Sequence, residues 1–397
     1  MSDLVLALSG GGSKGMFQMG AWKAFREMGI EFAAISGTSI GAVNGALMLG
    51  TSYDQAMEMW ANLTIDQCLA FSQRTELGST DLLSIKNAEL LAKELWNNRS
   101  LNTAPLRALL NKYVNEDNIR ANRTDLGIMT TVVPDFKPHA LWLDEVPTGS
   151  LIEYIMASAR LPGLAPVRID DITYMDGGII ENVPVSMLRR RGCRQIVAVD
   201  LEPKASVLSR LDDNVQLTLI HDKQELGGFL DLTPAVLRRN FRLGYLDTLK
   251  AFARLNGEYY SFRNEDYQAL IRRYGIDTVN GLEQAALIYE IDRCRIYKPD
   301  DFIAEIRQKR LEFQQAYEEK RKALDIEHKL KALASGKLRV LNLLPPLRLA
   351  FLMEIKANAK QNGTPQRLPI RLFATVDEAA DALCKLNGTE GLDCNYN

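Results

Sequence analysis

Residues 4–50 read LVLALSGGGSKGMFQMGAWKAFREMGIEFAAISGTSIGAVNGALMLG. The stretch opens on a short apolar run, residues 4–9, of the kind that forms a strand buried on both faces. Four glycines follow within six residues: Gly10, Gly11, Gly12 and Gly15. Residues 16–28 place Phe17, Ala21, Ala24, Phe25 and Met28 at helical spacing, and Gly29 ends that helix. Residues 32–36 supply a second strand, and residues 40–49 a helix of small side chains. Strand, turn, helix, strand, turn, helix is a βαβ start, which predicts a parallel sheet covered by helices.

Both turns of this unit carry chemistry. Gly37-Thr38-Ser39-Ile40-Gly41 fits G-x-S-x-G between a strand and a helix. That arrangement lifts a serine hydroxyl out of the sheet edge, with flanking glycines leaving room for it and for substrate. The helix that follows aims its N-terminal amides at an oxygen becoming negative. The glycine turn (Gly10, Gly12, Gly15) fits G-x-G-x-x-G, the dinucleotide-binding fingerprint. That reading needs an acid at the end of the second strand. Here the strand ends in Ser36-Gly37, and the nearest acid, Glu31, precedes it. The glycine turn is therefore read as an oxyanion cradle, with amides at a helix N-terminus beside Ser39. Lys14 within it reads as a loop stabiliser, a contact for an anionic substrate, or a solvated lysine.

A serine nucleophile needs a base. The chain holds three histidines, His139, His221 and His328. His221 ends an apolar run, so the order Ser39, Asp176 or Asp200, His221 is one alternative. Against it, the nucleophile of an α/β-hydrolase normally follows several strands, and Ser39 follows the second. The favoured base is Asp176, which opens Asp176-Gly177-Gly178 after a short strand over 171–175. A carboxylate is a weak base for an alcohol, and serves if it touches the hydroxyl while a cradle holds the charge that develops.

GGGSKG at 10–15, GTSIG at 37–41 and DGG at 176–178, in this order, resemble the patatin-like phospholipase family. Ala157-Ser158-Ala159-Arg160-Leu161-Pro162, with Pro166 beyond it, is similar to the family's A-S-x-x-x-P block. Asn182-Val183-Pro184 stands where the family has Asn-x-Pro, and residues 101–114 (LNTAPLRALLNKYV) resemble its helix before the third strand. The resemblance covers residues 4–203 and weakens toward 260. It implies a three-layer α/β/α sandwich with a mostly parallel central sheet, and hydrolysis of fatty-acyl esters of phospholipids or related lipids. It further implies a Ser39–Asp176 dyad without histidine, an acyl-enzyme intermediate, and an oxyanion hole from the amides of Gly10, Gly11 and Gly12. Lys14, where many members have arginine, is a departure; DGG in place of DGA lies within the family's range. A lipid- or partner-binding module with an inactive site is the alternative from another class.

Outside these motifs the sequence bounds rather than identifies. Of the 397 residues, 46% are hydrophobic and 25% charged, an ordinary globular balance. The net charge of −2 gives no basic excess for nucleic acid. Five scattered cysteines form no C-x-x-C pair, so neither a zinc site nor a disulfide framework is expected, and no metal or cofactor is. No basic leader or long apolar span appears, which predicts a cytoplasmic protein, at most peripheral at membranes. The expected domains are a catalytic one over 1–260, with a helical insertion at 51–125 as a candidate lid, and a mainly helical region over 261–397. Within the latter, the seam of Ile303, Ile306 and Phe313 is broken by Arg310. Residues 336–360 mix leucines with Lys337, Arg339, Arg348 and Lys356, a candidate for peripheral membrane contact whose blander reading is core packing.

Overall fold

Eight strands build the central sheet: β1 (Leu4–Leu8), β2 (Ala34–Thr38), β3 (Asp125–Val133), β4 (Lys137–Trp142), β5 (Val167–Ile169), β6 (Ile172–Asp176), β7 (Gln195–Asp200) and β8 (Gln216–His221). The computed structural model describes residues 4–71, 99–202, 214–321, 346–361 and 374–388, together with Asn87, Lys93 and Trp96. The strand order is β5-β6-β3-β2-β1-β7-β8, with β4 paired to β3. The strands β3, β2, β1, β7 and β8 are mutually parallel, as their buried apolar sequences require. The sheet is nonetheless mixed, because β4 and β6 run against β3, and β5 against β6.

Helices cover both faces. Along β3, Leu126 and Ile128 point into one core and Met129 into the other, following the two-residue period of a strand. The first core is completed by α1 (Met16–Met28), α2 (Ile40–Gly50), α3 (Tyr53–Ala61), α4 (Ile65–Cys68), α5 (Ala104–Tyr113), α6 (Glu116–Ala121) and α7 (Leu151–Ser158). The second is completed by α8 (Val185–Arg190). This is the α/β/α sandwich. Helix α9 (Pro234–Ala251) crosses α1 at backbone contact. A Cβ on Gly20 would lie 1.9 Å from the Phe241 carbonyl, and one on Gly244 1.9 Å from that of Phe17, so both crossing points require glycine. Of the 51–125 insertion, Met59, Trp60 and Leu69 are buried in the first core.

The chain divides into two compact units, Met1–Ala251 and Phe252–Asn397. The division falls where α9 ends, nine residues before the expected boundary at 260. The second unit holds α10 (Asn264–Tyr274), α11 (Ile276–Ile288), α12 (Pro299–Arg321), α13 (Pro346–Gln361) and α14 (Ala374–Gly388), with a two-stranded ladder of Ser261–Phe262 and Ile296–Tyr297. Tyr260, Phe262, Tyr297 and Phe302 stack edge-on and tilted at its centre. Within residues 346–360, four apolar side chains are packed in a core. Ala350, Leu352, Met353 and Ala357 are buried, while Lys356 pairs with Asp377 and Lys360 with Asp381 of α14. The leucines at 336–345 lie outside the described residues, as do His328 and Cys394.

Arg310, the charge on the α12 seam, is buried because α13 supplies its counter-ion. Its guanidinium grips the Glu354 carboxylate twice, at 2.8 and 3.1 Å, and Glu354 also accepts from the Tyr289 hydroxyl at 2.6 Å. Removing one partner strands the other in a dry interior. Arg310→Ala should destabilise the second unit by about 3–5 kcal/mol, and Arg310→Met with Glu354→Met should recover most of that loss, both read by urea unfolding.

Candidate active site

The first five residues of β3, through Met129, pair with β2, whose last residue, Thr38, sits opposite Met129. The next four pair with β6, whose last residue, Asp176, sits opposite Thr130. Strand β4 overlaps both segments, so it occupies the other edge of β3, and β2 and β6 share one edge. One runs with β3 and the other against it. Their C-terminal ends therefore meet head to head, about one residue's rise (~3.3 Å) apart along β3. Ser39 is the residue after Thr38. Its hydroxyl lies close enough to the Asp176 carboxyl to draw down that group's proton affinity, and both residues are buried, at 5% and 4% exposure.

Ser39 occupies a turn that few residues tolerate, with φ 55° and ψ −123°, a strain on the order of 1–3 kcal/mol. The surroundings over-determine it. Its amide donates to Ser158 Oγ at 2.8 Å, and that hydroxyl donates to the Met129 carbonyl at 2.7 Å. Its carbonyl accepts from Ala42 and Val43 in the first turn of α2. A Cβ on Gly37 would stand 2.4 Å from the Gly41 backbone, and one on Gly41 2.2 Å from the Leu8 carbonyl. The two glycines of GTSIG are what let the turn close. Ser158 was visible in the sequence only as part of a motif block; nothing in its spacing shows that it holds the elbow.

The glycine turn is locked from three sides. The segment after Asp176-Gly177-Gly178 lies across the strand ends: Asn182 accepts from the Gly10 amide at 3.2 Å and returns a bond from Nδ2 to the Gly10 carbonyl at 3.3 Å. The same side chain would be struck by a Cβ on Gly10 or Gly178, at 2.7 and 2.9 Å. The Phe229 carbonyl accepts from the Ser13 amide at 2.8 Å and would lie 2.1 Å from a Cβ on Gly12, whose φ is 59°. That contact packs the Phe229 segment directly against Gly12. Lys14 is neither solvated nor aimed at the cavity; it pairs with Glu202 at 2.8 Å. Of the three amides expected to hold an oxyanion, that of Gly10 is thus already donated, because Asn182 claims it. Those of Gly11 and Gly12 make no hydrogen bond among the described residues.

Burial pushes the Asp176 carboxyl above its ordinary range, while the Ser39 hydroxyl and the Gly178 amide, at 2.7 Å, pull it back. The histidine alternatives fail on topology. His221 ends β8, which is separated from β2 by β1 and β7. Three strand spacings come to roughly 14 Å, so the order Ser39, Asp176 or Asp200, His221 does not assemble. His139 stacks on Tyr174 from β4. Among the described residues no cluster of His, Cys, Asp and Glu could hold a metal ion, and no helix is long and apolar enough to cross a membrane.

Ser39 opens into a cavity of about 140 Å³. Its walls are Ile40 and Val43 of α2, Trp60 of α3, Leu109 of α5, Leu161 and Leu230, among other apolar side chains. The 51–125 insertion supplies nearly half of this lining. Such walls suit an apolar ligand, and Ser39 is part of the lining.

The fold and this pairing define an α/β/α protein with a strained serine elbow beside a buried carboxylate. Residues 6–189 match the family model described as patatin-like phospholipase. Patatin-like phospholipase domain-containing protein 6 of Mus musculus is 26% identical over 204 residues, 50% of this chain and 14% of that protein. Lysophospholipase NTE1 of Kluyveromyces lactis is 28% identical over 201 residues, 49% of this chain and 12% of that one. The chain thus matches only a small part of the length of these relatives. The crystal structure of VipD from Legionella pneumophila aligns over 99% of this chain and 93% of its own, with 16% identity and a TM-score of 0.40.

Asp200, at the end of β7 beside His221, is pushed up to about 6 by burial, against the pull of the Glu202 amide. Its ionised form is disfavoured in the folded chain, so the stability it contributes is full below pH 3.8 and is lost as the pH rises through 6. Asp200→Asn should therefore match the wild type near pH 4 and exceed it above pH 6, by up to about 3 kcal/mol, measured by thermal unfolding across that range.

Proposed function

We propose that the chain is a serine lipid acyl hydrolase that works through Ser39 and Asp176 by an acyl-enzyme route. The observation that carries the reading is the buried Ser39 hydroxyl beside the buried Asp176 carboxyl, with Ser39 in the lining of an apolar cavity. Ser39 Oγ attacks the ester carbonyl and its proton passes to Asp176. The oxygen that becomes negative is held by the amides of Gly11 and Gly12, at the start of the turn leading into α1. Gly10 shapes that turn through Asn182 rather than lending its own amide. As the intermediate collapses, Asp176 returns the proton to the leaving alcohol, and the acyl group stays on Ser39. Water then attacks the acyl-enzyme with Asp176 again taking a proton, and the fatty acid leaves.

The apolar lining supports a fatty-acyl substrate over a polar ester. The names of the relatives, a patatin-like phospholipase domain protein and a lysophospholipase, support phospholipids or related lipids as its source. The raised proton affinity of Asp176 suits it to a role that an exposed carboxylate performs poorly.

Ser39→Ala should lower turnover of a p-nitrophenyl or phospholipid ester by about 10⁴ or more and abolish labelling by a fluorophosphonate. Asp176→Asn should be nearly as damaging, and the double variant no worse than either alone, since the two act as a unit. Wild-type turnover by Ser39→Ala would end the proposal; His221→Ala should leave turnover unchanged. Asp176 must be ionised to accept a proton. The rate should thus fall on the acid side, with a midpoint above the ordinary 3.8, in a kcat/KM profile run from pH 3.5 to 8.

A further inference from the structure

The cavity at Ser39 is small for a membrane lipid. A methylene takes up about as much room as a water molecule, on the order of 30 Å³, so about 140 Å³ houses roughly five of them. The acyl chains of a bilayer fill half of a hydrocarbon core ~30 Å thick and are several times longer. Beyond one wall of the cavity lies a groove of about 1080 Å³, floored by Met16, Met57, Leu237 and Phe241. Four side chains line both spaces: Trp60, Leu63, Ile65 and Leu232. The partition between cavity and groove is thus one side chain thick.

The members of this partition differ in how firmly they are held. Trp60 is wholly buried, and its indole donates to Asn44 Oδ1 at 3.1 Å; Asn44 is itself anchored to Gly15 and Gln18. Trp60 is a fixed post. Leu63 lies in the connection between α3 and α4, half-buried, between exposed Asn62 and Thr64. Leu232 lies in the irregular stretch that leads from Gly227, at φ 99°, to α9. Both leucines therefore sit on connections outside regular structure, where local opening is least costly.

We propose that Leu63 and Leu232 form an apolar gate that sets the acyl-chain length the protein accepts. Short chains lie wholly within the cavity. Longer chains part the two leucines beside Trp60 and lay their distal methylenes in the groove. The proposal rests on the hydrolase reading of Ser39 and goes beyond it by assigning the selectivity.

The test compares kcat/KM for p-nitrophenyl laurate and butyrate below their micelle concentrations, with fluorophosphonate labelling of Ser39 in parallel. The laurate-to-butyrate ratio should rise severalfold in Leu63→Ala and in Leu232→Ala, which thin the partition. It should fall at least tenfold in Leu63→Trp, which bolts it. Opposite signs are the signature, since general loosening of the cavity would move all three the same way. If Leu63→Trp fails to fold by circular dichroism, the two alanine variants decide. A ratio that does not rise in the alanine variants, in a protein that labels at Ser39 and hydrolyses butyrate, overturns the gate and leaves the hydrolase standing. Absence of Ser39-dependent hydrolysis of either ester overturns both.

Discussion

Ser39 and Asp176 are 137 positions apart, and what brings them together is the backbone of β3. That strand is longer than its partner β2. Its surplus, Thr130 to Val133, pairs with β6 along the edge β2 has vacated. Because β6 runs against β3, its final carboxylate points at the end of β2. A β6 parallel to β3 would carry Asp176 to the far end of the strand, about 10 Å away at the rise of a sheet. The antiparallel departures from the expected sheet are therefore the feature that assembles the site. The Thr131 hydroxyl, donating to the Asp176 carbonyl at 3.1 Å, fastens the junction.

A junction held by backbone ladders can carry strain that side-chain contacts alone could not. The backbone of Ser39 lies outside the regions open to most residues, and its neighbours offer no relaxed alternative. Gly37 and Gly41 touch, Ser158 occupies the amide, and α2 occupies the carbonyl. Each of these bonds is worth only about 1 kcal/mol net. Breaking any one inside a dry interior, however, strands a polar group at a cost of about 1–3 kcal/mol, and relaxing the turn would break several at once. The same reasoning applies to the glycine turn, where Asn182, Phe229 and the Lys14–Glu202 pair hold three successive stretches of backbone.

Much of this was legible because the residue types are so constrained. Gly37, Ser39 and Gly41 between a strand and a helix leave little else for the chain to do, and the short strand before Asp176 announced its place at a sheet end. The direction of β6 was not legible, since a five-residue strand carries no mark of its partner's polarity. Nor was the loss of Gly10 as a donor, because it depends on Asn182, 172 residues away. Lys14 left three readings open, and only its pairing with Glu202 separates them. Arg310 marked a flaw in a seam, and only the fold supplies Glu354. What a sequence shows are local demands on backbone and periodicity; what it withholds are partners set by topology.

One consequence of the arrangement concerns timing. The proton affinity of Asp176 is a balance, raised by burial and lowered by the Ser39 hydroxyl and the Gly178 amide. Ser39 also borders the apolar cavity, so an acyl chain that fills it removes water from around the pair. Drying strengthens the first influence and leaves the two opposing groups in place. On the hydrolase reading, Asp176 becomes a stronger base when substrate is present, and Ser39 is driven to react when there is an ester to receive it. A histidine would be served differently by the same walls: burial lowers its proton affinity, as it does for His139. On that reading, a dry, apolar site reached by a lipid chain favours a carboxylate in this position.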